Sequence, residues 1–218
     1  MYVPEGYIGV LSGFEMEGRI HQMVLNTVLD IGQRKGWIPD MVIGLMSGGI
    51  PMMSEVCSRL ADRRIFPQLG YADIHRIEAA PSRFEIPTDR TWMSFSLPDL
   101  FGRNVLVVDD VFDSGVTIQK MEYYLGLAKA KEVRYMMGVD KGDPANEFYR
   151  QIKPRMMAAL TVPHDFGWLI GFGMDAADGR YRNLHGIAVK EGSGTYAGTA
   201  GFGTKLGHPG TKAGASVR

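Results

Sequence analysis

Cysteine is almost missing from this chain: Cys57 is the only one in 218 residues. That excludes an intramolecular disulfide framework and any multi-cysteine zinc site, and a reducing, cytoplasmic setting fits best. An excess of either charge is missing too, with 24 basic and 24 acidic side chains. A protein that holds nucleic acid through bulk positive charge is therefore not expected, although a local patch would escape this count. No uninterrupted apolar run approaches the length needed to span a bilayer, so no membrane partner is expected. The opening MYVPEGYIGVLSGFEMEGR lacks a basic start followed by an apolar stretch, and no signal peptide is expected. The five histidines include no pair at the spacing of a helical zinc motif. No internal repeat is found.

What is present is an ordinary globular composition, 45% apolar and 22% charged, in a chain long enough to bury a core. Helical and strand patterns alternate. Phe14 to Lys35 reads as an amphipathic helix, with Ile20, Met23, Val24, Val28 and Ile31 at helical spacing and Gly36 as a stop. Met41 to Leu45 reads as a short buried strand. A turn at Ser47-Gly48-Gly49 follows, then a helix around Pro51 running to about Ala61. Cys57 lies on its apolar side, as packing rather than as a nucleophile. Tyr71 to Ile77 reads as a strand, and Glu78 to Arg90 as a long loop. Val105 to Val108 is the clearest buried strand, followed by a helix from Val116 to about Ala130. Val133 to Val139, Met156 to Val162 and Trp168 to Phe172 complete the strand candidates. Met52, Met53, Met136, Met137, Met156 and Met157 read as core fillers. Glu191 to Arg218 has glycine at more than a quarter of its positions and little to bury, so a flexible tail is expected. The expected organisation is one domain over 1–190 and a glycine-rich tail over 191–218. Strand, loop and helix recur at βαβ spacing, which predicts an α/β fold with a mostly parallel sheet covered by helices. Ligands of such sheets bind at the carboxyl ends of the strands.

One such strand end stands out. Val105–Val108 runs into Asp109-Asp110-Val111-Phe112-Asp113-Ser114-Gly115-Val116-Thr117. Paired carboxylates are acceptors suited to sugar hydroxyls or to a hard cation such as Mg²⁺. Backbone N–H groups at the following helix start, with two hydroxyls and a glycine that permits close approach, suit a monophosphate. Carboxylates for a ribose and a cradle for its phosphate, within nine residues, describe a phosphoribosyl site. The alternative is that Asp113 or Ser114 only caps the helix while Asp109 and Asp110 face solvent.

The segment VLVVDDVFDSGVT closely resembles the phosphoribosyl-pyrophosphate motif of the type I phosphoribosyltransferases. Further matches are similar to the hypoxanthine-guanine, or 6-oxopurine, branch: LPDLFGRNVLVVDD, GLMSGGIPM, GVDKGD, WLIGFGMD and YRNL. They run from about Phe14 to Val189. The resemblance implies the type I fold, a central mostly parallel sheet flanked by helices with a small hood subdomain. It implies that Asp109 and Asp110 contact ribose, that Asp113, Ser114, Gly115, Val116 and Thr117 bind the 5′-phosphate, and that Asp113 exchanges a proton at N7 of the base. It implies pyrophosphate contacts from Ser47 and Gly48, in a loop that often contains a non-proline cis peptide, and from Arg182. Lys141 would read the exocyclic oxygen, Trp168 would stack on the base, and Leu169 and Asp175 would complete its contacts. Asp109, Asp110 and Asp175 would be the Mg²⁺ side of the site.

The chemistry of these residue types agrees. A lysine ammonium donates to a carbonyl oxygen and so favours a 6-oxopurine over a 6-aminopurine. A tryptophan face supplies area for a planar base. Taken singly, Lys141 and Arg182 have the alternative of simple exposure and Trp168 that of a core residue. Other acids near Asp113 would supply the raised pKa that proton exchange needs. The resemblance also has departures. Ser47 stands where the hypoxanthine-guanine enzymes commonly carry a lysine, and no Ser-Tyr pair occurs between Tyr71 and Ser96. The expected activity is transfer of ribose 5-phosphate from phosphoribosyl pyrophosphate to a 6-oxopurine, hypoxanthine, guanine or xanthine, in a homodimer or homotetramer. Transfer to another base, and a regulator that kept the fold without the chemistry, remain as rivals.

Overall fold

The computed structural model describes residues 2–34, 37–74 and 91–194, with side chains described outside 28–34 and 91. The Glu78–Arg90 loop, the last three residues of the Tyr71–Ile77 strand, Lys35 and Gly36, and 195–218 of the tail lie outside the described residues. Nine strands and four α-helices are present among those described. β1 (Tyr7–Leu11), α1 (Gly13–Arg34), β2 (Met41–Leu45), α2 (Gly49–Ala61), β3 (Gln68–Ile74) and β4 (Thr91–Met93) come first. β5 (Asn104–Phe112), α3 (Val116–Leu127), β6 (Glu132–Asp140), α4 (Glu147–Ile152), β7 (Met156–Thr161), β8 (Leu169–Ile170) and β9 (Ile187–Lys190) follow.

Six strands form the main sheet in the order β4-β3-β2-β5-β6-β7. All neighbours are parallel except β4, which closes the edge antiparallel to β3. Its central strands carry apolar residues almost without interruption because both faces are covered. The side-chain period of two sorts them. Val42, Leu106, Val108 and Met136 pack with Met16, Ile20, Met23 and Val24 of α1 and Met52, Met53, Val56 and Leu60 of α2. Ile43, Val105, Val107, Tyr135 and Met137 pack on the other face with Ile118, Met121 and Leu125 of α3 and Tyr149 and Ile152 of α4. Cys57 is partly buried against the first cluster.

α1 begins at a reciprocal cap. Ser12 N–H donates to the Glu15 carboxylate at 2.9 Å, and Glu15 N–H donates back to Ser12 Oγ at 3.3 Å. α3 stops at Leu127, three residues short of the expected Ala130, because Lys129 turns left-handed with φ 54°. β3 starts at Gln68 rather than Tyr71, since its parallel pairing with β2 begins at Met41–Gln68. β8 is two residues, shorter than the expected Trp168–Phe172, because Gly171 and Phe172 both have positive φ and turn the chain back on Met174.

A second, antiparallel sheet has the order β1-β9-β8. It ties the amino-terminal strand to residues about 180 positions later. No described helix is long and apolar enough to cross a membrane. Strand order reverses between β2 and β5: β2 leads to β3 on one side and abuts β5 on the other. The loops leaving β2 and β5 therefore splay apart at the carboxyl edge and leave a crevice between them.

Candidate functional site

That crevice is a cleft of about 340 Å³. The loop after β2 supplies Ser47 and Gly48, and the end of β5 supplies Asp109 and Asp110. Asp113, Ser114, Gly115, Val116 and Thr117 line it from the turn into α3. Lys141 enters from the end of β6, and Trp168, Leu169, Asp175 and Arg182 from the chain around β8. The candidate site residues named from the sequence thus line one cleft, although they come from five separated segments.

The Met46–Ser47 peptide is cis. Gly48 is required by close approach, since a Cβ there would overlap the Asp110 carboxylate. Asp109 and Asp110 are both buried, so the alternative in which they face solvent is set aside. Asp110 N–H donates to Asp109 Oδ1 at 2.9 Å and Val111 N–H to Asp110 Oδ1 at 2.7 Å. Burial pushes the Asp109 carboxyl well above its ordinary range, and the neighbouring Asp110 charge adds to it. Burial also raises Asp110, against the opposing pull of the Val111 N–H. A cation placed between them would relieve both effects.

The turn into α3 leaves the helix start without a side-chain cap. Its N-cap is Gly115, left-handed at φ 78°, with no side chain to cap the helix and no acid in the first turn. The alternative in which Asp113 or Ser114 caps α3 therefore fails, and the first-turn N–H groups are left for a ligand.

The Asp113 side chain is 64% exposed, and its charged neighbour is Lys141 Nζ at 3.8 Å. Asp113 thus faces a cation of the chain itself. Lys141 Nζ also donates to Gly167 O at 2.9 Å, which aims the buried side chain across the cleft. Trp168 is half-exposed at 51% and not core. Its Nε1 donates to the main-chain oxygen of Asp175 at 2.7 Å. The Asp175 carboxylate accepts from Arg182 Nη2 at 2.7 Å, so it is turned to a cation of the chain itself. Among the described residues no three His, Cys, Asp or Glu side chains form a metal-holding group. Asp109, Asp110 and Asp175 share the cleft but do not make a closed cage.

Two features escaped the sequence reading. Asp140, beside Lys141, is wholly buried and holds the β6 end in place. Its signal was a charge closing an apolar strand. Gly173 abuts the β2 loop so closely that a Cβ would overlap Gly48 O. In the sequence, Gly171-Phe172-Gly173 is too short to argue for a dinucleotide site; these glycines serve backbone approach instead.

The cleft thus joins buried paired acids to an uncapped helix start at the strand-order switch point. The family model described as phosphoribosyl transferase domain matches residues 20–176, and the chain belongs to that family. It is 27% identical over 151 residues to the bifunctional protein TilS/HprT of Listeria monocytogenes, a match covering 68% of this chain and 21% of that protein. The chain thus spans about a fifth of the length of that relative. It is 27% identical over 146 residues to the hypoxanthine phosphoribosyltransferase of Salmonella typhimurium, covering 66% of this chain and 74% of that one. Its fold is similar to the hypoxanthine phosphoribosyltransferase of Trypanosoma cruzi solved with the product IMP. That likeness has a TM-score of 0.66 at 17% identity and covers 88% of this chain and 98% of the other. The type I phosphoribosyltransferase fold expected from the motifs is the fold observed.

Proposed function

We propose that this chain is a purine phosphoribosyltransferase that moves ribose 5-phosphate from phosphoribosyl pyrophosphate to a 6-oxopurine, hypoxanthine or guanine with xanthine as a further candidate, and releases pyrophosphate. The reading rests on one observation above all: the acidic strand end, the phosphate-type turn, Lys141 and Trp168 line the same cleft. Residues 1–190 would be the working domain.

The 5′-phosphate would sit on the N–H groups of the Asp113–Thr117 turn, fixing the ribose relative to the base. Asp109 and Asp110 would accept from the ribose hydroxyls. The base would lie against Trp168 with its 6-oxygen on Lys141 Nζ. Its nitrogen attacks C1 of the ribose as the bond from C1 to the pyrophosphate oxygen breaks, and Asp113 takes the proton from the base at N7. Ser47, Gly48 and Arg182 would hold the departing pyrophosphate.

The donor set fits Mg²⁺ delivered with the substrate. That ion keeps several waters and binds through one or two carboxylates plus substrate phosphates rather than in an all-protein cage. When bound, Mg²⁺ would neutralise pyrophosphate charge, with Asp109, Asp110 and Asp175 on its side of the site. A cytoplasmic homodimer or homotetramer, with no nucleic-acid or membrane partner, is the setting this reading carries.

Thermal unfolding with and without phosphoribosyl pyrophosphate and Mg²⁺ tests the site. A donor at a hundred times its Kd adds about 2.7 kcal/mol, hence about 5–11 °C in a domain of this size. An unmoved midpoint would sink the assignment. Ser47, in the place of the common loop lysine, favours a second reading, transfer to a base other than a 6-oxopurine; a panel of bases separates the two.

A further inference from the structure

Trp168 and Arg182 are assigned to different ends of the reaction, one to the base and the other to pyrophosphate, yet a line of hydrogen bonds joins them. Trp168 Nε1 donates to Asp175 O at 2.7 Å, and the Asp175 carboxylate accepts from Arg182 Nη2 at 2.7 Å. Arg182 Nη1 donates to Gly173 O at 2.8 Å, and Gly173 is packed against Gly48 of the β2 loop. The tryptophan is also anchored from behind. Its backbone N–H donates to Ser193 Oγ at 2.9 Å, Ser193 Oγ donates to Lys190 O at 2.7 Å, and Lys190 N–H donates to Trp168 O at 2.9 Å.

Stacking needs only the face of a ring. An indole N–H on a half-exposed side chain could be satisfied by water, and a phenylalanine would stack without needing any partner. Here the N–H is instead fixed to the backbone of the residue whose carboxylate orients Arg182. We propose that the Trp168 indole N–H is a positioning group for pyrophosphate. It pre-orders the segment from Asp175 to Arg182, so that the base-side ring also governs affinity for a diphosphate anion it never touches. Pre-ordering removes part of the ordering cost that binding otherwise carries. This inference rests on the phosphoribosyltransferase reading.

The test uses the full chain, Mg²⁺ with inorganic pyrophosphate, and separately inosine 5′-monophosphate, each measured by calorimetry without turnover. Trp168→Phe keeps a stacking face and removes the N–H. The ring is half-exposed, so the variant should fold, and an unchanged unfolding midpoint confirms it. The Kd for magnesium pyrophosphate should rise about fivefold, the worth of one neutral hydrogen bond, while that for the nucleotide changes less than about twofold. In an Arg182→Gln background the same change should add less than about twofold, because the coupling passes through Arg182. If Trp168→Phe leaves pyrophosphate affinity unchanged, or costs the full factor without Arg182, the tether is refuted. If the unmodified chain binds neither ligand, the functional reading fails and takes this inference with it.

Discussion

Asp140 has no exposed surface, yet three donors converge on its carboxylate. Gly142 N–H and Tyr149 O–H each donate at 2.9 Å, and Lys153 Nζ at 2.5 Å. Replacing it with alanine strands all three. Gly142 and Tyr149 are buried, and a buried donor without a partner costs about 1–3 kcal/mol. The Lys153 side chain is 42% exposed and can return to water, so its loss is discounted. Asp140→Ala should therefore lower stability by about 3 kcal/mol, which is about 6–12 °C in the midpoint. Asp140→Asn keeps the shape and one acceptor oxygen, and should lose about half as much. Urea unfolding of the three proteins reads the difference directly. An alanine variant within about 1 kcal/mol of the parent, or an asparagine variant as damaged as alanine, would refute the reasoning. The network also fixes a pH dependence. Burial alone would lower the Lys153 pKa, but the Asp140 hydrogen bond and charge outweigh it and raise it above the unfolded value. A raised lysine stabilises fully below its unfolded pKa and loses that contribution as pH climbs through the folded one. The stability gap between the parent and Lys153→Met should hold from pH 6 to 9 and close only above about pH 10.4.

Burial pushes the Cys57 thiol up to about 11. At pH 8 only about one molecule in a thousand is thiolate, so alkylation by iodoacetamide should be about a hundredfold slower than for a free thiol; labelling at the free rate in the folded protein would count against this burial. Lys141→Met should raise KM for the oxopurine by about 10–150-fold, the worth of a hydrogen bond from a charged donor, while donor binding followed by thermal shift stays unchanged. Gly173→Ala meets Gly48 O as well as a φ of 105°, and should cost more than about 2 kcal/mol in urea unfolding. Gly179→Ala, at φ 79° with nothing in reach of its Cβ, should cost only about 1–2 kcal/mol. The Ser12 hydrogen bonds hold the Glu15 carboxyl below its usual range. Their contribution should be present above the unfolded glutamate pKa and fade as pH falls through the lower folded value, visible as convergence of the parent and Glu15→Gln unfolding curves in acid.

The site was more legible in the sequence than the sheet that carries part of it. β5, its acidic end and the turn into α3 are contiguous, so local chemistry announces them: an apolar run buried on both faces, then residue types that an apolar strand does not need. Lys141 was placed by the resemblance of GVDKGD, since on its own residue type a lysine at a strand end reads as exposed. Trp168 and Arg182 had bland readings on their own residue types, and only the fold, by folding β8 and β9 back over the cleft, brings them to the acids. β1 and β9 pair across almost the whole chain. Neither shows a clean alternation, since β1 reads intermediate, exposed, exposed, intermediate, buried. Their existence depends on a partner no local window contains. β4 and α4 are three and six residues long, too short for periodicity to register. Asp140 is the instructive case inside the site: as a letter at the end of a strand it looks like a solvent-facing terminus, and only the approach of Tyr149 and Lys153 from the next helical turn makes it a buried acceptor.

The measurement that bears most directly on the cleft is nucleotide formation. Purified chain with Mg²⁺, phosphoribosyl pyrophosphate and hypoxanthine or guanine should yield the corresponding nucleoside 5′-monophosphate together with one pyrophosphate per turnover, and Asp113→Asn should retain donor binding while losing most of the rate. No nucleotide from hypoxanthine, guanine or xanthine, in protein that the donor nonetheless stabilises, would contradict the assignment of Lys141 and Trp168 to a 6-oxopurine.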